Sequence, residues 1–396
     1  MIITASRARE DRGPIVLGGN CLGMRSRPGR YDTFFVPSEK LDPRRGEPTS
    51  RTALITQSGA FAITRVSNLE SLNPTFAITI GNQIDLTVSD LVQAVGRRED
   101  IDVIGVYVEG FRDLDGLAFV RAVEDAVAAG KSIVFYKAGK TAPGRSATAG
   151  HTASIAGDHE VCQTALTSAG AIVTDTFKEF EQVLEIATRF HDRSVGGRRI
   201  GVISNAGFEA VGMADAILGA RYELEMPNLS VEATQRIADA LATANLGSLV
   251  NIRNPLDLNP MADEDVYEAC IRAMMEDDGL DAVVISVVPF TPRLRTTPEE
   301  IAASPVGSLT ERLPALLGEF DKPMIVVIDA GPPYDALARA IRRGGVPVFP
   351  SCDQAIRSLG RYLCHRSERG NGKRSGAKKS GTVVDRSNVA VHHATT

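Results

Sequence analysis

The chain has 396 residues, of which 43% are hydrophobic and 23% are charged, values typical of a soluble globular protein with two or three domains. The net charge is −5, but it is unevenly distributed. Residues 366–396 hold seven Lys/Arg and two Asp/Glu and carry a charge of +5, so the remaining residues carry −10. This acidic remainder is unlike a nucleic-acid binder, which typically presents a basic face. No stretch approaches the ~18 apolar residues that a membrane-spanning helix needs.

Residues 1–47 are too poor in apolar runs to form a domain. They contain two candidate strands, Met1–Thr4 and Ile15–Leu17, followed by a polar stretch with several prolines. We interpret 1–47 as the end of a preceding domain.

Residues 48–192 alternate short apolar runs with longer amphipathic ones. This alternation predicts strand–helix crossover units, and therefore a parallel sheet with helices on both faces. The predicted strands are Ala53–Thr56, Phe76–Ile80, Val103–Val108, Ile133–Ala138 and Ala171–Thr174, and the predicted helices are Ala60–Leu69, Ser89–Val95, Leu114–Ala129, Ala156–Ala169 and Thr176–Phe190.

The polar, glycine-containing composition of RSVGGRR at 193–199 predicts a linker after the first unit. The same alternation then restarts and predicts a second α/β unit over 198–365, with a disordered basic tail at 366–396. Its predicted strands are Ile200–Ser204, Ala282–Val288 and Met324–Ile328, and its predicted helices are Gly207–Leu218, Glu232–Leu241, Asp263–Glu276, Tyr334–Arg343 and Gln354–Leu363.

The five cysteines are scattered and form no C-x-x-C pair. This pattern disfavours a zinc site or a disulfide framework and suits a reducing cytoplasm. Two nucleotide motifs also fail: no G-x-G-x-x-G occurs, and GKT at 139–141 lacks the glycine that a phosphate-binding loop needs at the position of Val134.

Two strand-to-helix turns have the composition of an anion site. Ser58 and Gly59 lie in the first, and Asn205, Ala206 and Gly207 lie in the second. The start of a helix offers unpaired N–H groups and a partial positive charge, and glycine lets an anion come close. The alternative is that Ser58 is only an N-cap residue.

A histidine and a glutamate are candidates for acid–base or nucleophilic work. His151 lies in AGKTAPGRSATAGHTASIAG (138–157), which reads as a small, flexible, basic loop, and Glu109 ends a buried strand. A carboxylate at a strand end can accept an imidazole N–H and leave the other ring nitrogen nucleophilic. The alternatives are a surface histidine and a solvated strand end.

Seven short strings stand out in order along the chain: GGNCLG (18–23), ITQSGAFA (55–62), IGNQIDLTVSDLV (80–92), YVEG (107–110), GHTASIAG (150–157), SNAGFEA (204–210) and NPLDL (254–258). In their order and spacing they resemble the nucleoside-diphosphate-forming acyl-CoA synthetases, relatives of the succinyl-CoA synthetase alpha subunit. The resemblance covers about residues 15–365 and implies two flavodoxin-like, doubly wound parallel-sheet domains.

The resemblance implies a ligase that converts acyl-CoA, ADP and phosphate to a carboxylic acid, CoA and ATP, and the reverse. It implies that His151 is transiently phosphorylated, that Glu109 holds His151, and that Ser58 and Gly59 cradle the phosphate. By the same resemblance, phosphate binding extends to Asn205, Ala206 and Gly207, and CoA binding involves Asn20 and Cys21.

The sequence departs from the family in its extent. The CoA-binding domain that precedes the GGNCLG-like string is almost wholly missing, and so is the ATP-grasp domain that binds the nucleotide with Mg²⁺. The resemblance therefore implies an ATP-grasp partner, a small carboxylic acid and its CoA thioester as substrates, and an oligomer, with no nucleic acid, membrane or protein-bound metal. Three readings stay open: a truncated start, separate chains, or a degenerate remnant that serves as a non-catalytic binding or regulatory module.

Overall fold

The computed structural model describes residues 14–42, 44, 46–152 and 158–379. Its strands form two large, mainly parallel sheets and one small hairpin, as the α/β class predicts. In chain order they are β1 Met24–Ser26, β2 Tyr31–Asp32, β3 Ser50–Thr56, β4 Pro74–Thr79, β5 Val103–Val108, β6 Ser132–Lys137, β7 Ile172–Val173, β8 Ile200–Ser204, β9 Leu218–Gly219, β10 Tyr222–Glu223, β11 Leu256–Asp257, β12 Ala282–Ser286, β13 Met324–Val327 and β14 Val348–Phe349.

Both sheets have the strand order of the flavodoxin-like fold. The first runs β2-β1-β4-β3-β5-β6-β7, and the second runs β11-β8-β12-β13-β14. In each, the first parallel strand lies between the second and the third, which places a ligand crevice at the carboxyl ends of the strands beside it. Strands β3 to β7 are parallel, while β1 and β2 join the sheet edge antiparallel.

Helices cover the sheets at nearly the predicted positions, and polar residues such as Ser58, Thr87 and Thr176 cap their amino ends. The helices are α1 Gly59–Asn68, α2 Val88–Gly96, α3 Asp115–Ala128, α4 Ala142–Thr152, α5 His159–Ser168, α6 Phe177–Phe190, α7 Gly207–Asp215, α8 Val231–Thr243, α9 Glu264–Glu276, α10 Pro298–Ala303, α11 Leu309–Glu319, α12 Asp335–Arg343 and α13 Cys352–Lys379, with a 3₁₀ turn at Pro332–Tyr334.

The first sheet has a core on each face. Because successive strand side chains point to opposite faces, Leu54 joins one core while Ala53 and Ile55 join the other. Helices α2, α3 and α5 cover the second of these faces. The core that includes Leu54 continues without a break into the second unit, where it holds residues such as Ile203.

An interdomain seam, formed by α6 and α13, joins the two units. The Tyr362 hydroxyl donates to the Phe190 carbonyl at 2.5 Å, and Gln182 bonds Gln354 at 2.7 Å. A buried ion pair joins Arg361 to Glu179 at 3.3 Å. Helix α13 therefore belongs to both units.

Two expectations about the chain ends need correction. Part of the 1–47 stretch is built into the first sheet, since Arg25 pairs with Ala77 of β4; Ile15–Leu17 is not a strand, and Met1–Thr4 lies outside the described residues. The predicted tail began at residue 366, but α13 runs on to Lys379. Arg366 holds this helix against the first unit, since its guanidinium donates to the carbonyl oxygens of His191 (2.7 Å) and Arg193 (3.1 Å).

The predicted basic loop after β6 is largely a helix. Thr141 accepts the Gly144 N–H at 3.2 Å, and Pro143 lies in the first turn of α4, where its missing N–H costs nothing. Two glycines and several small polar residues hid this helix from the sequence pattern, because both disfavour helix interiors.

All five cysteines are free thiols. Within the described ranges, no helix is long and apolar enough to cross a bilayer.

Candidate active site

A cleft of about 260 Å³ opens at the carboxyl ends of β3, β4 and β5. It brings together five residues that the sequence singled out for three different roles: Asn20, Cys21, Ser58, Gly59 and Glu109. The topology explains the meeting, since three neighbouring parallel strands end at one edge of the sheet. The remaining lining residues are Leu22, Phe35, Gln57, Ala60, Gly81 and Asn82.

The first helix start in this cleft offers backbone donors. Ser58 is the N-cap residue, and its hydroxyl oxygen accepts the Phe61 N–H at 3.3 Å. The N–H groups of Gly59 and Ala60 have no intrahelical partner, as in any first turn, and both residues line the cleft. The capping interpretation of Ser58 is therefore correct, and it is compatible with an anion seat beside it.

Gly59 also has a packing reason to be glycine. A Cβ at this position would lie 2.6 Å from the Leu22 Cβ, so the helix start could not approach the GGNCLG stretch with a larger residue. The absence of a side chain therefore serves both close packing and access to the backbone.

The 18–21 segment is held over the cleft by the turn after β4. Asn82 N–H donates to the Gly19 carbonyl at 2.8 Å, and Ile84 N–H donates to the Gly18 carbonyl at 2.7 Å. Gly81, at φ +52°, makes this approach possible, because a Cβ there would lie 2.1 Å from the Gly19 oxygen. Asn20 and Cys21 thus reach the cleft through contacts that the sequence strings IGNQ and GGNCLG make with each other.

Gln57 is a site residue that the sequence analysis passed over. Its Oε1 accepts the N–H groups of Glu109 at 2.7 Å and Gly110 at 3.0 Å, so it fixes the end of β5. Only 2% of the residue is exposed, and its amide nitrogen has no hydrogen-bond partner among the described residues. Gln57 lies in the string ITQSGAFA. The sequence feature that could have indicated its role is an amide side chain directly after a buried strand.

Glu109 lies at the carboxyl end of β5, as predicted, and is 6% exposed. The Tyr107 hydroxyl donates to its Oε1 at 3.2 Å. Burial, followed by the charge of Glu109, raises the pKa of Tyr107, which keeps this phenol protonated and able to donate. Tyr107 is itself held by stacking on Phe61 of α1 at 4.0 Å between ring centres.

His151 falls within α4, but its side chain lies outside what the structure describes, as do residues 153–157. Its predicted meeting with Glu109 therefore stays a prediction. The helix predicted from Ala156 begins at His159, with Asp158 as its N-cap residue.

The second predicted anion turn lines a separate cleft of about 260 Å³ at the carboxyl end of β8. Here the side chain of Asn205 is used structurally, since it exchanges two hydrogen bonds with the backbone of Val288 at 2.8 and 2.9 Å. The Ala206 N–H donates to the Ser204 hydroxyl at 3.1 Å. A Cβ on Gly207 would lie 3.1 Å from an Asp257 carboxylate oxygen. An acidic side chain therefore stands at this helix start.

Glu209 of α7, two residues after Gly207, is fully buried. Burial, and next the charge of Asp329, raise the pKa of this carboxyl. In the described part of the chain, no group of three or more His, Cys, Asp or Glu side chains is arranged to hold a metal ion.

Comparison with known proteins bears on the first unit directly. Residues 49–187 match the family model of the succinyl-CoA ligase-like flavodoxin domain. Strands β3, β4 and β5, at whose ends the cleft opens, lie within the matched range.

Relatives of known function extend the match over most of the chain. A trans-feruloyl-CoA synthase from an unknown prokaryotic organism is 28% identical over 88% of this chain, and the ADP-forming acetate–CoA ligase I of Archaeoglobus fulgidus is 27% identical over 89%. The chain spans 47% of the length of each. It is also 26% identical to the alpha subunit of the ADP-forming acetate–CoA ligase II of Pyrococcus furiosus, covering 85% of this chain and 68% of that subunit. The resemblance to NDP-forming acyl-CoA synthetases is confirmed.

Solved structures agree on the fold. Acetyl-coenzyme A synthetase 1 of Candidatus Korarchaeum cryptofilum superposes with a TM-score of 0.78 at 22% identity, over 96% of this chain and 75% of that one. The tandem flavodoxin-like architecture that the sequence predicted is therefore confirmed.

Proposed function

We propose that this chain is the phosphohistidine-bearing component of an NDP-forming acyl-CoA synthetase. It would interconvert acyl-CoA, ADP and phosphate with a small carboxylic acid, CoA and ATP. One observation carries the proposal: a single cleft gathers Asn20, Cys21, Ser58, Gly59 and Glu109, which the family resemblance assigns to CoA, to phosphate and to the histidine.

The residues suggest how each step would run. Phosphate seated against the N–H groups of Gly59 and Ala60 attacks the thioester carbonyl, and the C–S bond breaks to release CoA and leave an acyl phosphate. A ring nitrogen of His151 then attacks phosphorus, the P–O bond to the acyl group breaks, and the carboxylate leaves. Glu109 accepts the N–H on the other ring nitrogen, which fixes the nucleophilic tautomer.

The phosphoryl group would next pass from His151 to ADP, which restores the imidazole. Helix N-termini stabilise the negative charge that develops on the phosphoryl oxygens. At the second helix start the Gly207 turn would serve this charge through its backbone, because the Asn205 amide is bonded to Val288.

A partner would supply the nucleotide site. We propose an ATP-grasp subunit or domain that binds ADP or ATP with Mg²⁺, assembled with this chain into an oligomer in the cytoplasm. Relatives named as alpha subunits support a division of labour between chains. CoA would be held at Asn20 and Cys21 from this side.

Phosphorylation tests the proposal. The chain is mixed with an ATP-grasp partner, γ-labelled ATP and Mg²⁺, and acid-labile label on the chain is measured. His151→Ala should abolish the label. The matched control is His159→Ala, eight positions further on, which should leave it intact; label that persists at the parent's level in His151→Ala contradicts the assignment.

One observation favours the alternative, a non-catalytic binding or regulatory module. The Asp257 carboxylate stands beside Gly207, where the first proposal needs a phosphoryl group to approach. A module of this kind would bind an acyl-CoA, measured by calorimetry, and would acquire no label with any ATP-grasp partner.

A further inference from the structure

The Gln57 side chain has a fixed orientation. One end of its amide group contacts two backbone N–H groups, those of Glu109 at 2.7 Å and Gly110 at 3.0 Å, and both of these groups are donors. Only the amide oxygen can accept from them, so the NH₂ group must point away from the end of β5. The assignment of oxygen and nitrogen thus follows from the backbone that Gln57 holds.

That NH₂ group is buried and lacks a partner among the described residues. Leaving a buried donor unpaired costs about 1–3 kcal/mol, so native proteins rarely tolerate it without a ligand, water or ion at the site. Gln83 shows the contrast: it is 1% exposed and also contacts Gly110, but its NH₂ donates to the Gly110 carbonyl at 3.0 Å and its oxygen accepts the Val88 N–H at 3.0 Å.

Gln57, which carries this unpaired donor, is part of the cleft wall at the start of α1. Gln57 lines the cleft next to Ser58, Gly59 and Ala60. The cleft lining therefore combines the Gln57 amide with the first-turn N–H groups of Gly59 and Ala60, and it also includes the Glu109 carboxylate. N–H donors at a helix start favour an oxyanion, and a neighbouring buried NH₂ without a partner among the described residues is a further donor available to it.

We propose that Gln57 is an anion-binding and positioning residue: its NH₂ group donates to a phosphoryl oxygen in this cleft, while its oxygen fixes the end of β5 that carries Glu109. The ligand is inorganic phosphate or the phosphoryl group of an acyl phosphate, and this assignment rests on the proposed function. One side chain thereby ties the position of the bound oxyanion to the position of the glutamate.

The test uses the full chain, with no partner and no nucleotide, and inorganic phosphate as the probe. Gln57→Glu keeps an oxygen that can accept from Glu109 and Gly110 but replaces the donor, and it should raise the phosphate dissociation constant ~10- to 100-fold, the range expected for one hydrogen bond to a charged group. Gln57→Leu removes both functions and should bind as weakly. Gln182→Glu, a buried glutamine in the interdomain seam, is the matched control and should bind phosphate like the parent.

Thermal unfolding with and without phosphate separates a ligand role from a structural one. The parent and Gln182→Glu should gain melting temperature with phosphate, and Gln57→Glu should not. A Gln57→Glu protein that melts lower but keeps the full phosphate-induced gain overturns the proposal, and so does a parent that binds no phosphate. Loss of phosphate binding in Gln57→Glu supports it even if no phosphohistidine forms, so its outcome is distinct from that of the labelling experiment.

Discussion

Replacing Gly81 by alanine should damage the cleft through the backbone alone. An added Cβ would lie 2.1 Å from the Gly19 oxygen and 2.6 Å from the Asn20 oxygen. Carbon and oxygen atoms normally stay at least about 3.3 Å apart, so the 18–21 segment must retreat by roughly 1 Å. Gly81 also sits at φ +52°, which costs an alanine about 1–2 kcal/mol.

Gly130→Ala separates the two effects. Gly130 has φ +96°, but a Cβ there meets nothing within 4 Å. We expect Gly130→Ala to lower the free energy of unfolding by about 1–2 kcal/mol and to leave phosphate binding unchanged. Gly81→Ala should lose more stability than this. Because Leu22 follows the displaced segment and packs against Gly59, the substitution should also weaken phosphate binding roughly 10-fold, which corresponds to about 1.4 kcal/mol.

Urea unfolding and isothermal titration with inorganic phosphate measure the two quantities on the same preparations. The reasoning is refuted if Gly81→Ala unfolds like Gly130→Ala and binds phosphate like the parent, because the 18–21 segment would then not depend on this contact.

Three further substitutions test the site and the fold. Glu109→Gln should lower acid-labile labelling of the chain while its melting temperature stays within a few degrees of the parent's; equal labelling would remove the orienting role. Burial raises the pKa of Glu209, so ionisation of this carboxyl opposes folding as the pH rises above the ordinary carboxyl range. In thermal melts, Glu209→Gln should therefore be more stable than the parent at pH 8 but not at pH 4. An equal gain in stability at both pH values would contradict this. Arg361→Met should lower the free energy of unfolding in urea by about 3–5 kcal/mol, because it leaves the buried charge of Glu179 without its ion-pair partner. Adding Glu179→Gln should restore most of this free energy. A double variant that is no more stable than Arg361→Met would show that the loss does not come from the unpaired Glu179 charge.

Sheet strands that are buried on both faces could be predicted from the sequence. Val103–Val108 and Ile200–Ser204 have the predicted bounds, because parallel strands covered by helices read as unbroken apolar runs. Edge elements could not be predicted in this way. Met24–Ser26 has only three residues, two of them polar, and its strand conformation depends on pairing with β2 and β4. The α11 helix was hidden by Pro314 in its interior.

The residue types of the candidate site could be predicted from the sequence, but the hydrogen bonds and contacts between them could not. Ser58, Gly59 and Glu109 stand out by their place at strand and helix ends. Gln57 does not, because its role depends on two N–H groups that are 52 and 53 positions away in the chain. The requirement for glycine at position 81 likewise depends on a distant contact, because a Cβ there would lie 2.1 Å from the Gly19 oxygen.

The last helix changes what the 193–199 linker means. Helix α13 follows the strands and helices of the second unit, yet its Ser358, Tyr362 and Arg366 are bonded to the first unit. The two halves are therefore held together by non-covalent contacts that do not require an intact 193–199 segment. Cutting the chain within 193–199 should then yield two fragments that remain associated, which makes gene fission at this point a tolerable event.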